Sequence, residues 1–279
     1  MDTEFSEWIG RTEVVDDPVC AVQAQAVQAM LDEPGAPLVD GDALPLPWHW
    51  FYFLPRAPQA ALDSDGHPQR GGFLPPIPYP RRMFAGARMQ VHRPLRVGVP
   101  AVREGTIRGV VMKSGKTGAL AFVTVAYRFM QDGVACLEEE QDIVYREPGA
   151  AVAAPVQAVL PPPPQGSWSR MLQPDTRLLF RFSALTFNAH RIHYDRAYAS
   201  EVEGYPGLVV HGPLTAVLLL QLVRQHTPRP LAAFSFRGVA PLFDLGPVRL
   251  VATPGPEGVA LEAQGPDGRA ALLATATLG

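Results

Sequence analysis

A proline-rich segment near the middle of the chain is the feature that most limits how this chain can fold. Residues 147–166 consist largely of alanine, proline and glycine and contain a run of four consecutive prolines. Consecutive prolines form a stiff, extended spacer that continues neither a helix nor a central strand. We therefore predict two modules, residues 1–147 and 167–279, joined by a linker at residues 148–166.

The same order of elements is predicted on either side of this spacer. Each half has an early strand, a long helix and then several strands. The N-terminal helix is expected from Asp17, which precedes a proline, to about Leu31. The C-terminal helix is expected to begin at Pro213 and to end near His226. This order is typical of an α+β module whose antiparallel sheet curves around a helix. The predicted strands are residues 12–15, 45–55, 83–91, 101–111, 119–129, 134–145, 177–187, 231–239, 248–252, 258–263 and 269–278.

Composition narrows the classes of function. With 279 residues, 47% of them hydrophobic, the chain can bury a sizeable core. A formal net charge of −3 provides no positive field for nucleic acid or an acidic membrane surface. No apolar run reaches membrane-spanning length, and the first eight residues are acidic without an apolar core. Because Cys20 and Cys136 fit no disulfide or metal spacing, we expect a reducing, cytoplasmic setting.

A polar run at residues 188–195 separates two apolar segments of the C-terminal half. It reads N-A-H-R-I-H-Y-D, and the apolar segment after it ends in a His-Gly-Pro triplet that starts at His211. His190, His193 and His211 are three of the seven histidines of the chain. Polar groups set between apolar elements must be hydrogen-bonded, solvated or used in chemistry. Imidazole transfers protons near neutral pH, so this stretch is the candidate site.

The same histidines have simpler explanations. A buried histidine is usually a core residue. His190 would then bind the backbone or Asn188, and His211 would shape the turn before the helix. His190, His193 and His211 together also offer three metal-binding nitrogens, but their spacing is generic. We therefore predict no metal and no organic cofactor.

One long segment without a clear helix or strand pattern lies in the N-terminal half. Residues 56–80 are rich in glycine, proline, aspartate and glutamine. A loop of this length in a compact protein is usually a lid, a binding loop or a disordered segment.

The candidate stretch resembles hot-dog-fold hydratases and dehydratases. Residues 182–195 and 204–214 are similar to the hydroxyacyl-thioester dehydratase type 2 group, which includes mesaconyl-C4-CoA hydratases. Residues 81–86 and 139–146 also fit that group. The wider MaoC-like family carries G-D-x-N-P-x-H and, further on, H-G at the start of its central helix. The resemblance implies a double hot dog with a non-catalytic N-terminal module and a catalytic C-terminal module.

The resemblance also implies roles for single residues. His193 matches the catalytic histidine of the family, and Gly212 matches the glycine whose N–H faces the thioester carbonyl. Asn188 stands where the wider family has its catalytic aspartate, and His190 stands where that family has asparagine. The type 2 group itself resembles this sequence at Asn188. We therefore expect an enzyme in which His193 moves protons and Asn188 orients the water.

These residues predict a hydro-lyase that adds or removes water at the α–β bond of an acyl thioester. Backbone N–H groups at a helix start lack intrahelical partners and can polarise the thioester carbonyl. The expected substrate is carried on coenzyme A or an acyl carrier protein, with no nucleic-acid or membrane partner. The assembly is left open between one pseudo-dimer and a homodimer. The predicted substrate-binding residues are His190, Arg191, His211, Arg237 and Arg81.

Two other functions stay open from the sequence. Hot-dog folds also host thioesterases, and a thioesterase would favour a carboxylate near the helix start. Glu201 and Glu203 are available for that role, but they match no motif. A non-catalytic acyl-binding subunit is the third reading, because Asn188 replaces the aspartate of the wider family.

Overall fold

The computed structural model describes residues 4–115 and 118–279. Residues 1–3, at the end where we expect no secretory signal, lie outside this range, as do residues 116–117 of the predicted turn between two strands. The described residues contain one ten-stranded sheet, and every pairing in it is antiparallel. Its strands are β1 (Thr12–Asp17), β2 (Arg81–Val91), β3 (Ala101–Gly115), β4 (Gly118–Gln131), β5 (Val134–Arg146), β6 (Trp168–Leu172), β7 (Leu231–Gly238), β8 (Val248–Gly255), β9 (Gly258–Gln264) and β10 (Ala270–Leu278).

The strand order repeats about the centre of the sheet. The full order is β1-β3-β4-β5-β2-β7-β10-β9-β8-β6. Read outward from the centre, β2-β5-β4-β3-β1 in one direction matches β7-β10-β9-β8-β6 in the other. Strands β2 and β7 join the two halves, with Gly86 opposite Arg237 and Gln90 opposite Ala233. The shared order of elements expected from sequence is therefore present, within a single continuous sheet.

Three α-helices accompany the sheet in the described residues: α1 (Ala21–Leu31), α2 (Thr176–Leu185) and α3 (Gly212–His226). Helix α3 is buried on nearly all sides and contacts β8, β9, β10, β6 and β2. Its leucines Leu214, Leu219 and Leu220 are fully buried. An apolar helix at this position supplies the centre of the main hydrophobic core. No helix in the described residues is both long enough and apolar enough to cross a membrane.

The strand predicted at residues 177–187 is wrong, because most of this segment forms helix α2. The Asp175 carboxylate accepts a hydrogen bond of 2.9 Å from the Leu178 N–H, which caps the helix. Leu179 and Phe182 are buried on its inner face. Their spacing of three suits a helix, whereas the alternation seen after Phe182 is too short to define a strand.

The aromatic strand predicted at residues 45–55 is also wrong. Its centre forms the 3-10 turn Trp48–Phe51, whose residues Trp48 and Phe51 are fully buried. Prolines at positions 45, 47 and 55 remove hydrogen-bond donors that a central strand requires.

The N-terminal helix starts at Ala21, later than expected, because Asp17 ends β1 and its carboxylate binds the Val19 N–H at 2.8 Å.

The long loop at residues 56–80 is anchored on the N-terminal half. Ile77 is fully buried in a second hydrophobic cluster with Ile107, Ile143 and Tyr145 of the sheet. Arg70 donates hydrogen bonds to the carbonyls of Ile77 and Pro80. The part of the loop before Arg70 reaches the C-terminal half, where the candidate site lies.

Candidate active site

His193 lies in the 3-10 turn Arg191–His193 and is 8% exposed. Its Nδ1 is 2.8 Å from the carbonyl oxygen of Val209. A carbonyl oxygen can only accept, so Nδ1 carries the proton and Nε2 presents a lone pair. Val209 is itself fixed, because its N–H donates to the Ile192 carbonyl at 3.0 Å. The geometry therefore holds a neutral imidazole in one tautomer.

His211 joins His193 to the start of helix α3. The two imidazole rings are stacked, with centroids 3.5 Å apart and planes at 20°. His211 Nε2 is 2.8 Å from the hydroxyl oxygen of Ser183 on α2. His211 is the residue that caps α3, so the ring of His193 lies beside the first turn of that helix.

Gly212 is the first residue of α3. Within residues 4–115 and 118–279, no group accepts a hydrogen bond from its N–H. A β-carbon added at Gly212 would come no closer than 3.8 Å to another residue, the nearest atom being the Phe84 carbonyl oxygen. A free N–H at a helix start carries the positive end of the helix dipole and suits an oxygen that gains negative charge. The structure thus brings His193, His211 and Gly212 to one place.

Asn188 and His190 adjoin this group. The Asn188 side-chain oxygen accepts a hydrogen bond of 3.0 Å from the His190 N–H, so the amide nitrogen of Asn188 keeps its two donors. The His190 ring lies 5.4 Å from the His193 ring and perpendicular to it. His190 is 6% exposed, and Asn188 is half-buried.

Two residues that the sequence did not single out complete the cluster. Asp65 and His67 lie in the long loop, and His67 Nδ1 is 2.9 Å from Asp65 Oδ2. The His67 N–H also donates to Asp65 Oδ1 at 2.8 Å. The His67 ring lies 4.1 Å from the His190 ring. The length and composition of the loop indicated a lid, but no local pattern pointed to these two side chains.

Glycine at position 66 allows the loop to approach so closely. Gly66 has φ +93°, and a β-carbon there would lie 1.8 Å from the Ala189 carbonyl oxygen. The Arg191 N–H donates to the Asp65 carbonyl at 2.9 Å, which ties the loop to the polar run. The long loop is therefore packed onto the candidate site rather than free of it.

Burial sets the charge state of the histidines. Burial lowers the pKa of His193 to about 4, although the hydrogen bond to Val209 opposes this. Burial and the neighbouring His67 and His193 lower the pKa of His190 to about 2. The pKa of His211 is also well below its ordinary value, chiefly because of burial. All three imidazoles are therefore neutral at pH 7.

The Asp65–His67 pair in the long loop has a different environment from the other three histidines, because a carboxylate is hydrogen-bonded to its imidazole. Burial lowers the pKa of His67, while the hydrogen bond that its ring donates to Asp65 opposes this in part. Burial raises the pKa of Asp65, but hydrogen bonds and the charge of His67 outweigh that effect and leave the pKa well below its ordinary value. Asp65 is therefore ionised beside His67.

The three arginines predicted to bind substrate do not share one place. Arg81 is buried and its Nε lies 3.1 Å from the Glu203 carboxylate. Arg191 is paired with Asp195 at 2.8 Å. Arg237 is exposed on β7, opposite Gly86. Arg81 and Arg191 thus already bind carboxylates of the protein.

Arg82, beside Arg81, has a different environment. It lies opposite Tyr145 in the β2–β5 pairing and is half-buried. Its charge lowers the pKa values of His67 and His190. In the part of the chain that the structure describes, no carboxylate forms an ion pair with it.

The residues whose donor atoms lie close enough to hold a metal ion are not the three histidines that the sequence suggested. Among the described residues, the donor atoms that lie within 4.8 Å of one another belong to Asp65, His67 and His190, and not to His190, His193 and His211. Both carboxylate oxygens of Asp65 already accept hydrogen bonds from His67. The positive charge of Arg82 also disfavours a cation there. We therefore interpret the group as a hydrogen-bonded Asp–His pair.

Comparison with known proteins agrees with this geometry. The profile of the family described as hydroxyacyl-thioester dehydratase type 2 matches residues 47–244, a range that contains the whole histidine cluster and the start of α3. The chain belongs to this family. A relative named mesaconyl-C(4)-CoA hydratase, from Chloroflexus aurantiacus, is 64% identical to this chain over 277 residues, which are 99% of this chain and 98% of the relative.

Solved structures agree on the fold. The crystal structure of HtdX of Mycobacterium tuberculosis aligns with 95% of this chain and 99% of its own, with a TM-score of 0.68 and 16% identity. A MaoC-like dehydratase from Phytophthora capsici covers 97% of this chain and 96% of its own, with a TM-score of 0.64 and 12% identity. The predicted α+β fold, a double hot dog, is confirmed. The predicted class of enzyme, a hydro-lyase of acyl thioesters, is confirmed by the family and the relative.

Proposed function

We propose that this enzyme hydrates a branched, dicarboxylic enoyl thioester of coenzyme A, with His193 as acid and base and the Gly212 N–H as the donor to the thioester oxygen. The observation that carries the proposal is the stacking of His193 on His211 at the first turn of α3. A substrate whose carbonyl oxygen binds the Gly212 N–H has its α-carbon within reach of that imidazole.

The electrostatics support these roles. When the α-proton leaves, the negative charge moves to the thioester oxygen, where a prearranged N–H lowers the barrier. His193 is neutral at pH 7, because burial lowers its pKa to about 4, so its Nε2 can accept that proton. Asn188 cannot ionise, and its amide donors suit a hydrogen bond to the water or the leaving hydroxyl.

The substrate class rests on two observations. The relative that shares 64% of its residues with this chain is named for mesaconyl-C(4)-CoA, whose acyl group carries a free carboxylate. Arg82 is a cation whose charge lowers the pKa values of His67 and His190, and it has no carboxylate partner among the described residues. We assign it to the free carboxylate of the substrate. Exposed Arg237 is a candidate for the coenzyme A phosphates, and pairing of two chains into a homodimer stays a prediction.

The thioesterase alternative has weaker support. Glu203 is paired with Arg81 in a buried contact, and Glu201 is exposed. Neither environment leaves a carboxylate poised to activate water at the start of α3.

Assays with two thioesters test the proposal. Purified protein is mixed with mesaconyl-C4-CoA and, separately, with crotonyl-CoA. We expect loss of the enoyl absorbance without release of free thiol, and a larger kcat/KM for mesaconyl-C4-CoA. Arg82→Gln should remove most of that preference and leave crotonyl-CoA hydration nearly unchanged. Release of free thiol, or saturable binding without turnover, would overturn the proposal.

A further inference from the structure

The Asp65–His67 pair lies on the far side of the histidine cluster from α3. Starting at α3, the rings come in the order His211, His193, His190 and His67, with neighbouring centroids 3.5, 5.4 and 4.1 Å apart. His211 Nε2 is engaged by Ser183, so His193 is the first ring in this order whose Nε2 is left for a substrate. A thioester that binds the first N–H of α3 and extends along this order would place its α-carbon by His193 and its β-carbon towards His67.

We propose that His67, held by Asp65, is the catalytic acid and base at the β-oxygen of the substrate, so that the N-terminal half contributes directly to the reaction. This inference rests on the proposed function. It also revises the expectation that the N-terminal module is non-catalytic.

Hydrogen bonding supports this role for His67. Its Nδ1 faces the Asp65 carboxylate, so the proton on Nδ1 is fixed and Nε2 is left for another partner. Among the buried imidazoles of the cluster, His193 binds a backbone carbonyl and His211 binds a hydroxyl. Only His67 has a carboxylate as its hydrogen-bond partner within the described part of this cluster. The Asp65 carboxylate favours an imidazolium there, while burial lowers the pKa of His67.

The loop is also held in place as a catalytic element requires. Gly66 lies against the Ala189 carbonyl, the Asp65 carbonyl accepts from the Arg191 N–H, and the Ser64 carbonyl accepts from the Arg191 side chain at 3.1 Å. These contacts join the loop to the segment between Asn188 and His193. The position of His67 relative to His193 is therefore fixed by backbone contacts on both sides.

The reaction is balanced in the dehydration direction as follows. His193 Nε2 takes the α-proton, and the electron pair of that C–H bond forms an enolate whose oxygen binds the Gly212 N–H. The pair then forms the α–β double bond as the β-carbon–oxygen bond breaks. The hydroxyl leaves as water with the proton from Nε2 of the His67 imidazolium. In total, one proton has moved from His67 to the departing water and one from the α-carbon to His193. Hydration is the reverse.

The charges around His67 are mixed. Asp65 favours its protonated form, whereas Arg82, Arg70 and a protonated His190 oppose it. Because His67 must carry a proton for dehydration while His193 must not, the rate should fall on both sides of a pH optimum.

A change of leaving group tests the assignment. Wild type, His67→Gln and His193→Gln are compared on 3-hydroxybutyryl-CoA, which loses water, and on 3-chlorobutyryl-CoA, whose chloride leaves without a proton. We expect His67→Gln to lower kcat for water elimination by about 10²–10³ and chloride elimination by less than about tenfold. His193→Gln should lower both. The alkaline limb of the pH profile should disappear in His67→Gln.

Three controls make the outcome decisive. His92→Gln changes a histidine that faces a carboxylate, Glu138, on the exposed surface of the same half, and it should leave both reactions unchanged. Asp65→Asn should lower water elimination, and Asp65→Glu should restore part of it. Equal losses of water and chloride elimination in His67→Gln would overturn the inference, and so would no loss of either reaction. It would also be overturned if a metal chelator abolished wild-type activity and added zinc restored it. If wild type processes none of these thioesters, the proposed function itself fails.

Discussion

The starts of helices α1 and α3 have different surroundings, although both helices follow the first strand of their half. At α1 the Asp17 carboxylate accepts hydrogen bonds from the Val19 N–H at 2.8 Å and the Phe53 N–H at 2.9 Å, and these bonds are buried. At α3 the Gly212 N–H has no acceptor within residues 4–115 and 118–279. Neither helix start has a side-chain cap, but a carboxylate binds the chain just before α1, whereas two imidazoles stand beside the start of α3.

This difference explains why two halves of one topology have unequal chemistry. A carboxylate so close to the start of α1 disfavours a thioester oxygen that gains negative charge there. Phe51 also packs on Phe182, with ring centroids 5.4 Å apart, which fills space between the two halves. In the C-terminal half, His211 is the N-cap residue of α3 and His193 stacks on it, so imidazoles stand beside the Gly212 N–H. The N-terminal half instead contributes through its long loop.

The largest expected effect comes from the imidazole of His193 beside the start of α3. His193→Gln should lower kcat for enoyl thioester hydration by about 10³, because it removes the proposed base at the α-carbon. The measurement is initial rate at saturating substrate, with folding checked by circular dichroism. His226→Gln is the matched control, since His226 Nδ1 also binds a backbone carbonyl, that of Leu222 at 2.9 Å, at the other end of α3. A folded His193→Gln enzyme with more than a tenth of wild-type turnover contradicts the assignment.

A proline at each helix start tests the comparison directly. Gly212→Pro removes the open N–H, and we expect kcat to fall by about 10² because the thioester oxygen loses a donor. Proline is tolerated at the first helical position, and His211 has the extended backbone that precedes proline, with ψ 130°.

Ala21→Pro is the matching change at the first position of α1, where Cys20 has ψ 145°. It should leave kcat within about twofold of wild type, because the proposed site for the thioester oxygen lies at the other helix start. Equal losses of kcat in the two variants would remove the proposed difference between the helix starts.

Acid should weaken the folded state through His193. Its folded pKa of about 4 lies below its unfolded value, so the unfolded chain binds the extra proton and stability falls as pH drops from about 7 towards 4. Between pH 8 and pH 5 this contribution is about 2 kcal/mol. Urea unfolding of wild type and His193→Gln at both pH values measures it. The variant should lose less stability on acidification, and equal losses would show that His193 does not titrate in this way.

The smallest expected effect concerns the fit of the loop. Gly66→Ala places a β-carbon against the Ala189 carbonyl at a position with φ +93°. We expect a loss of about 1–3 kcal/mol in unfolding free energy and about a tenfold fall in kcat, because His67 moves away from the site. Gly72→Ala, in the same loop with nothing within 4 Å, should change neither quantity. A fall in stability with full kcat would mean that the loop is not part of the reaction.

Sequence reasoning worked best where local patterns repeat. The long strands of both halves and the apolar helix after His211 were predicted close to their observed limits, because alternation and helical spacing extend over many residues. It failed at residues 177–187 and 45–55, where short apolar segments fit more than one structure. The convergence of His193 and Gly212 followed from the family resemblance. The predicted roles of Arg81 and Arg191 did not anticipate their carboxylate partners. Glu203, the partner of Arg81, is distant in sequence, and Asp195, the partner of Arg191, is four residues further on.

The sequence by itself determined the class of fold, the family and the histidines beside α3, because each of these depends on residues close together in the chain. Only the tertiary structure decided which groups face those histidines. Asp65 and His67 reach His190 across more than a hundred residues of chain, since Gly66 permits a backbone contact that no local pattern encodes. Burial by that packing also sets the pKa of His193 at about 4, a property that the residue type alone cannot supply.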